Sequence, residues 1–305
     1  MIYNFEYTKK DGSTGYFSDC TSFSFTKDAY TPYTTLNAVL HKNEFPEDII
    51  EIKFKLSGKY IHHGFIDSYK LINGYGESRC VISSRGFTAL LTENQLPPGM
   101  YTDISFNKLF DDYFDLPYIE HENNRQSSYI YVNKGTSMWD GAANLAYKLT
   151  GNYPYIKGCN KVMLDPAASM TTSNISDSRL IRHGVEFNTR RMVSNYNMAD
   201  IGGEYGTYSA VSAEAVSRNL IRNRHFDLDM RFLNNPEQAC DYRIMMSERN
   251  YKGEYFIYNN YYGEDINDYI NVTGFGIKRI SALKLKGSRN GVQTEAYCFN
   301  DAAEA

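Results

Sequence analysis

The sequence is poor in the residues that build disulfide frameworks and rigid loops. Its 305 residues include five Cys, eight Pro and a single Trp. The cysteines are far apart, form no CxxC pair, and are odd in number, so they cannot all pair within one chain. We therefore expect reduced thiols, as in a protein made in a reducing cytoplasm. The five positions are Cys20, Cys80, Cys159, Cys240 and Cys298.

Targeting and membrane signals are missing as well. The N-terminal stretch MIYNFEYTKK lacks the apolar core of a signal peptide, so we expect cytoplasmic synthesis without one. No apolar run approaches the roughly 18 residues that a membrane span needs, so no membrane partner is predicted. The formal net charge of −4 and the pI near 5.9 give no overall attraction to nucleic acid. A nucleic-acid partner is therefore not predicted either.

Common catalytic and metal motifs are also missing. The sequence contains no HExxH, no GxSxG and no Walker loop. His62 and His63 are adjacent in a predicted strand, where neighbouring side chains point to opposite faces and cannot both bind one ion. We expect no metal and no cofactor.

Pairs of carboxylates can support acid–base catalysis without a metal or a cofactor. Two clusters can supply the acid and the base of a glycosidase, and their members are Glu120/Glu122 and Glu254/Glu264/Asp265. Nothing in the sequence separates the pKa values of any such pair, as this chemistry requires. We therefore predict that the protein is not an enzyme.

Tyrosine is the residue that the sequence has in excess. There are 27 Tyr and 17 Phe, and aromatic residues make up 15% of the chain. Tyrosine suits β-strands, and it suits surfaces that combine an apolar face with a wet edge, such as protein interfaces or sugar-binding clefts. Composition alone does not choose between these two surfaces.

A helix followed by a hairpin is predicted for Gly135 to Pro166. Ser137 is placed to cap the helix, and Gly151 falls where a residue with positive φ ends one. The apolar stripe between them consists of Met138, Ala142, Leu145 and Leu149, widened by Trp139, Ala143 and Ala146. A second helix is predicted from the Ser105 cap to about Phe114. The predicted core of this α+β unit is Trp139, Leu145, Leu149, Leu109 and Tyr113.

The flanking parts of the chain have strand patterns. Residues 49–56 alternate, which predicts that Ile50, Ile52, Phe54 and Leu56 share one face. Gly64 lies inside a predicted strand, which indicates a bend or a close backbone approach. We predict a polar linker at 167–177, more strands after it, and a helix from Pro236 to about Arg249 opened by Asn235-Pro236-Glu237.

Basic residues concentrate in the last part. Arg190, Arg191, Arg222 and Arg224 belong to a longer arginine-rich stretch that can form a docking surface for an acidic partner. The alternative is an ordinary solvated face of a sheet.

Two segments resemble a known family. Residues 60–95 contain Ser84-Arg85-Gly86 at the end of a predicted strand, and Lys134 to Pro166 contains the Gly-Thr-Ser-Met-Trp-Asp helix start and its hairpin. Near the end, Gly291 to Tyr297 reads GVQTEAY and is similar to a last barrel strand. Together they resemble the central baseplate hub proteins of contractile phage tails. That family includes hubs of phage-like bacteriocins and the N-terminal half of type VI secretion spike proteins.

The resemblance implies a fold and a role. The fold is α+β, mostly β, with two small β-barrel domains (1–90 and 167–305) and an α+β domain inserted between them (91–166). The role is a homotrimeric hub at the baseplate of a phage tail or tail-like particle, made in the bacterial cytoplasm. Two barrels per subunit would give quasi-six-fold symmetry and join the hexameric tail tube to the trimeric central spike, with other baseplate proteins as further partners. The alternatives are a carbohydrate-active or cell-wall-degrading tail module and a non-enzymatic glycan-binding tail-tip protein.

Overall fold

Strands dominate the regular structure. The computed structural model describes residues 3–17, 20–41, 48–74, 77–166, 170–229 and 237–299. The first described part contains strands only, namely β1 (Tyr3–Lys9), β2 (Thr14–Phe17), β3 (Cys20–Asp28), β4 (Thr35–His41), β5 (Ile49–Leu56), β6 (Lys59–Gly74) and β7 (Glu77–Gly86). In this part the predicted strands are confirmed.

The middle part mixes helices with short strands. Its elements are a 3₁₀ turn (Phe87–Ala89), α1 (Leu90–Glu93), β8 (Gly99–Ser105), α2 (Phe106–Tyr113), β9 (Glu120–His121), β10 (Ser127–Val132), α3 (Met138–Thr150), β11 (Tyr155–Lys157) and β12 (Lys161–Met163). β11 and β12 form the predicted hairpin, and β12 also pairs in parallel with β9.

The last part returns to strands. Its elements are β13 (Thr172–Ile175), β14 (Leu180–Phe187), β15 (Asn195–Met198), β16 (Tyr208–Val211), α4 (Ala213–Ser217), β17 (Asn223–Phe226), α5 (Glu237–Glu248), β18 (Lys252–Asn259), β19 (Tyr269–Val272), β20 (Gly276–Arg279), β21 (Ala282–Ser288) and β22 (Gly291–Phe299). The predicted helix is α5, while its proposed cap at Asn235-Pro236 lies outside the described residues. The linker prediction is wrong in part, because Thr172–Ile175 pairs in parallel with β19.

One large sheet joins the first and last parts of the chain. Its eleven strands run in the order β14-β18-β22-β21-β3-β4-β7-β6-β5-β1-β2. The two parts meet where β3 pairs with β21, with Phe25 opposite Leu285. The mostly β prediction is confirmed, and the sheet is curled. A division into two separate barrels stays a prediction.

The main hydrophobic core follows this sheet across both parts. Phe5 stacks on Phe54 with ring centroids 4.6 Å apart, and Phe23 meets Phe54 edge-on at the same distance. Leu285 and Phe256, from the last part, belong to the same cluster of buried side chains. Residues more than 200 positions apart in sequence therefore share one core.

The inward face of β5 differs from the prediction at one position. Ile52, Phe54 and Leu56 are fully buried, but Ile50 is exposed. A register shift in the pairing of β1 with β5 places Lys9 opposite Ile49 after Thr8 pairs with Glu51. Such a bulge interrupts the two-residue period, so Ile50 leaves the face that alternation assigned to it.

The α+β part has a core of its own, and its helix ends are as predicted. The Ser137 hydroxyl accepts from the Asp140 N–H at 3.0 Å, and Gly151 ends α3 with a φ of 75°. Ser105 caps α2 in the same way, accepting from the Lys108 N–H at 3.2 Å. These are local signals, which the sequence carries within a few residues.

The five predicted core residues of this part occupy different environments. Trp139, Leu145 and Leu109 are buried in one cluster, and Leu149 packs partly buried against it. Tyr113 is not in the buried core: it is 38% exposed and meets Tyr101 edge-on at 5.0 Å. It lies at the C-terminal end of α2, where the helix leaves the cluster. Within the described ranges, no helix is long and apolar enough to cross a membrane.

Candidate interaction surfaces

The carboxylate cluster around Glu264 lines a cleft of about 480 Å³. Glu264 is buried, accepts a hydrogen bond from the Tyr258 hydroxyl at 2.5 Å, and accepts another from the Tyr262 N–H at 2.8 Å. Burial raises the pKa of Glu264 above its ordinary value, and the bond from Tyr258 opposes this shift. Both oxygens of this carboxylate are therefore bound by the protein itself.

The neighbouring acidic residues attach the α+β part to the large sheet. Asp265 pairs with the buried Lys27 of β3 at 2.5 Å, and it also accepts from the Gly158 N–H at 2.7 Å. Lys27 in turn donates to the Gly158 carbonyl at 2.8 Å. Asp268 pairs with Lys157 of the same hairpin at 3.3 Å. These groups form a buried clamp between the β11–β12 turn and the sheet.

Two of the other predicted carboxylates have protein partners, while Glu120 is exposed on β9. Glu254 pairs with Lys278 at 2.8 Å. Glu122 accepts from the Leu164 N–H at 2.9 Å and so fixes the end of the hairpin. The geometry assigns them contacts that stabilise the fold.

The two adjacent histidines point to opposite faces of β6, as alternation predicts. His62 is fully buried between the hydroxyls of Thr34 and Ser84, at 2.8 and 2.9 Å from its two ring nitrogens. Burial lowers the pKa of His62 to about 3. His63 instead meets Glu51 at 2.6 Å. In the described ranges, no group of three or more His, Cys, Asp or Glu side chains is arranged to hold a metal ion.

The predicted arginine residues lie on a small lobe that contains β15, β16, β17 and α4. Arg222 is half-buried, and its Nη1 donates to the carbonyls of Thr189, Arg190 and Met192. It therefore fixes the loop before β15 rather than presenting its charge outward. Arg190, Arg191 and Arg224 are exposed.

An exposed apolar residue accompanies these arginines. Ile221 is 86% exposed and directly precedes Arg222, whose bonds hold the Arg190 loop beside it. We call Arg190, Arg191, Ile221 and Arg224 the arginine surface. The lobe also exposes apolar side chains outside this set, namely Ile201, Tyr205, Val211 and Val216.

A second surface, at the β14 end of the large sheet, is not predicted by the sequence. β14 is the last strand of the large sheet, and it exposes Val185 and Phe187 to 51% and 62%. The strand alternates in sequence, but alternation does not reveal that it ends a sheet. Only the pairing order shows that one edge of β14 has no neighbouring strand within the described part of the chain.

Solved tail proteins share this fold over nearly their whole length. The tail protein from Neisseria meningitidis MC58 has a TM-score of 0.72 at 14% identity, covering 99% of this chain and 97% of that one. The 43 kDa tail protein of prophage MuSo2 from Shewanella oneidensis has a TM-score of 0.68 at 14% identity, with 97% and 98% covered.

A secretion-system protein also shares this fold, with a lower structural similarity. It comes from E. coli and is described as a component of the type VI secretion system with structural similarity to the T4 bacteriophage tail proteins gp27 and gp5. Its TM-score is 0.55 at 10% identity, covering 92% of this chain and 73% of that one. The resemblance to tail hub proteins is thus confirmed at the level of the fold. No protein-family model matches the sequence, and the curated proteins give no significant sequence match.

Proposed function

We propose that this protein is the structural hub of a contractile tail or injection-machine baseplate. The observation that carries the proposal is the fold, which extends over 99% of this chain and 97% of a solved tail protein. In this role the protein is a homotrimer that joins a hexameric tail tube to a trimeric central spike and contacts other baseplate proteins. The described residues support a binding role, because their acidic clusters are engaged in clamps within the fold.

The quasi-six-fold symmetry belongs to the same proposal. The strands of 1–90 and of 167–305 act as two barrel domains in each subunit, with 91–166 inserted between them. Three subunits then present six similar units to the tube. The β3–β21 pairing fixes the two halves of each subunit against each other.

The oligomeric state tests the proposal. We expect sedimentation velocity of the purified chain alone to give a particle of three times 35.0 kDa, and in the presence of tube and spike partners a heavier complex that contains three copies of the chain. Negative-stain images should show a three-fold ring. A chain that stays monomeric and binds neither the tube nor the spike protein would contradict the proposal.

The arginine surface is proposed as a contact for an acidic partner protein. Charge reversal by Arg190→Glu together with Arg224→Glu should slow association with the partner and weaken its salt dependence, since exposed charges act mainly on the association rate. Arg125→Glu is a matched control, because Arg125 is exposed in the α+β part. Equal effects of both charge reversals would show that the arginine surface has no specific role.

A glycan-binding tail protein is the second candidate, and one cavity favours it. The cavity has a volume of about 360 Å³ and is lined by Tyr30, Tyr147, Tyr153 and Tyr242, with Asp241 and Arg279 as polar groups. Tyrosine rings with a few polar groups suit a sugar. Calorimetric titration with soluble peptidoglycan fragments should detect binding, and Tyr242→Ala should abolish it. If no heat of binding is detected at millimolar concentrations of the fragments, the glycan-binding candidate is excluded and the hub proposal remains.

A further inference from the structure

The tyrosine-lined cavity lies where three parts of the chain meet. Its wall combines residues from the turn after β3, from the C-terminal end of α3 and the turn after it, from α5, and from the end of β20, namely Tyr30, Tyr147, Tyr153, Tyr242 and Arg279. The volume of about 360 Å³ falls at the lower end of the range for ligand pockets, roughly 300 to 1,000 Å³. The cavity therefore suits a small ligand such as a sugar unit.

The four tyrosine rings form a continuous row. The ring of Tyr153 is central, with its centroid 5.5 Å from that of Tyr30 and 6.4 Å from that of Tyr242, on which it stacks. Tyr242 in turn meets Tyr147 edge-on at 6.2 Å. All four rings are half-buried. Rings that pack against one another in this way hold their orientation, which suits stacking against the apolar face of a sugar.

Arg279 brings a positive charge to the wall of this cavity. Its Nη2 donates to the Asn267 Oδ1 at 2.7 Å, and both residues line the cavity. Its Nε is buried and has no acceptor among the described residues. Arg249, whose guanidinium lies over the Tyr30 ring at 4.6 Å, differs because it pairs with Asp28 at 3.1 Å. A buried guanidinium donor without an acceptor costs free energy, and a carboxylate is the acceptor that fits it best.

The cavity has one other charged group among its described lining residues. Asp241 of α5 is exposed, so its carboxylate stays hydrated and its field is screened by solvent. Arg279 is half-buried, and its charge is screened less. Tyrosine rings by themselves would also accept a cation, but the guanidinium in the wall repels one. The charges of the cavity therefore favour an anionic ligand.

We infer that this cavity selects a sugar that carries a carboxylate, and that Arg279 sets this preference. The sugar ring stacks on the row of tyrosine rings, and its carboxylate accepts hydrogen bonds from the Arg279 guanidinium beside Asn267. This inference rests on the glycan-binding candidate and names the class of its ligand. The hub proposal does not depend on it.

Three sugars of similar shape test the preference on the wild-type protein. N-acetylmuramic acid carries a carboxylate, its methyl ester lacks the charge, and N-acetylglucosamine lacks the whole lactyl group. In calorimetric titrations we expect the acid to bind about tenfold or more tightly than either neutral sugar, because hydrogen bonds between charged groups are among the stronger ones. Lactate has the carboxylate without the ring, so it should bind more weakly than the acid.

A variant tests the role of Arg279. In Arg279→Gln the guanidinium is lost, so the affinity for the acid should fall until the acid and its methyl ester bind equally. Arg191→Gln is the matched control, because Arg191 is exposed and does not line the cavity. Circular dichroism checks that both variants are folded. The comparison of acid and ester on the wild-type protein decides the preference even if Arg279→Gln does not fold.

The outcomes separate the inference from the candidate on which it rests. If the acid and the neutral sugars bind equally, or if Arg279→Gln keeps the preference, the inference is wrong and the glycan-binding candidate stands. Lactate that binds as tightly as the acid also contradicts the inference, because the cavity then recognises a carboxylate alone. If neither these sugars nor the peptidoglycan fragments bind, the inference and the glycan-binding candidate are both wrong, and the hub proposal is unaffected.

Discussion

His62 is a residue whose ionisation is strongly coupled to folding at acidic pH. Burial of the ring lowers its pKa from 6.5 to about 3, because the charged form loses its hydration. Between these values the unfolded chain binds a proton that the folded chain does not. The stability that depends on a neutral His62 is therefore present above about pH 6.5 and is lost as the pH falls toward 3.

This coupling gives a measurable slope. The free energy of unfolding should fall by up to about 1.4 kcal/mol per pH unit below pH 6.5 through this group alone. Urea unfolding of wild type and of His62→Gln between about pH 4 and 7 isolates the contribution of His62 to this pH dependence, because the variant lacks the titrating ring. His41→Gln is the control, as His41 is exposed. If the free energy of unfolding changes with pH in the same way for wild type and His62→Gln, the prediction is wrong.

Trp139 is the largest aromatic side chain in the core of the α+β part. Its side chain is buried among Leu109, Leu145 and other apolar residues, so Trp139→Ala should cost about 3 to 5 kcal/mol of unfolding free energy. Tyr113→Ala, at the exposed end of α2, should cost about 1 kcal/mol or less. Urea unfolding followed by circular dichroism compares the two, since the first variant loses the only Trp. Similar midpoints would show that Trp139 packs loosely.

At the scale of elements, local signals determined the helices and tertiary pairing determined the strand details. The ends of α2 and α3 follow from Ser105, Ser137 and Gly151, which act within one turn. The exposure of Ile50 follows from a bulge that exists only because β1 pairs with β5. Alternation cannot reveal such a bulge, since the extra residue is set by the partner strand.

Gly64 makes a prediction for the β6–β7 pair. It is opposite Gly86, and a Cβ at Gly64 would lie 2.0 Å from the Arg85 carbonyl oxygen, so the close approach expected from the sequence is confirmed. Gly64→Ala should destabilise the protein by about 1 to 3 kcal/mol or more, because the backbone of β7 has to move. Gly202→Ala is the matched control, since its Cβ would meet only the Asp200 side chain, at 3.2 Å. If Gly64→Ala lowers the thermal midpoint no more than Gly202→Ala does, the β7 backbone can move without a loss of stability, and the prediction is wrong.

At the scale of the whole molecule, the described residues form two large hydrophobic cores with different origins. The core of the α+β part is drawn from residues between Leu91 and Leu164. The core of the large sheet combines distant parts, such as Phe25 with Leu285. The first part of the chain therefore depends on the last part for its packing, whereas the α+β part depends mainly on itself.

Fragments should show this difference. A fragment of residues 1–86 leaves β3 without β21 and exposes part of its core, so it should lack a cooperative thermal transition. A fragment of residues 87–166 keeps its cluster and should retain the blue-shifted emission of a buried Trp139. Circular dichroism and fluorescence melts of both fragments check these outcomes. Cooperative melting of 1–86 near the midpoint of the intact chain would contradict the shared core.

The sequence by itself determined the β, α+β, β order of the chain, the ends of α2 and α3, the opposite faces of His62 and His63, and the close approach at Gly64. Each of these depends on neighbours within a few residues, through capping, periodicity or the lack of a Cβ. Only the tertiary structure decided that the first and last parts share one sheet, that Arg222 binds three carbonyls, and that β14 and β2 stand at the two ends of the sheet among the described strands. Those features depend on which distant strands pair, and pairing is set by the packing of the whole core rather than by any one segment.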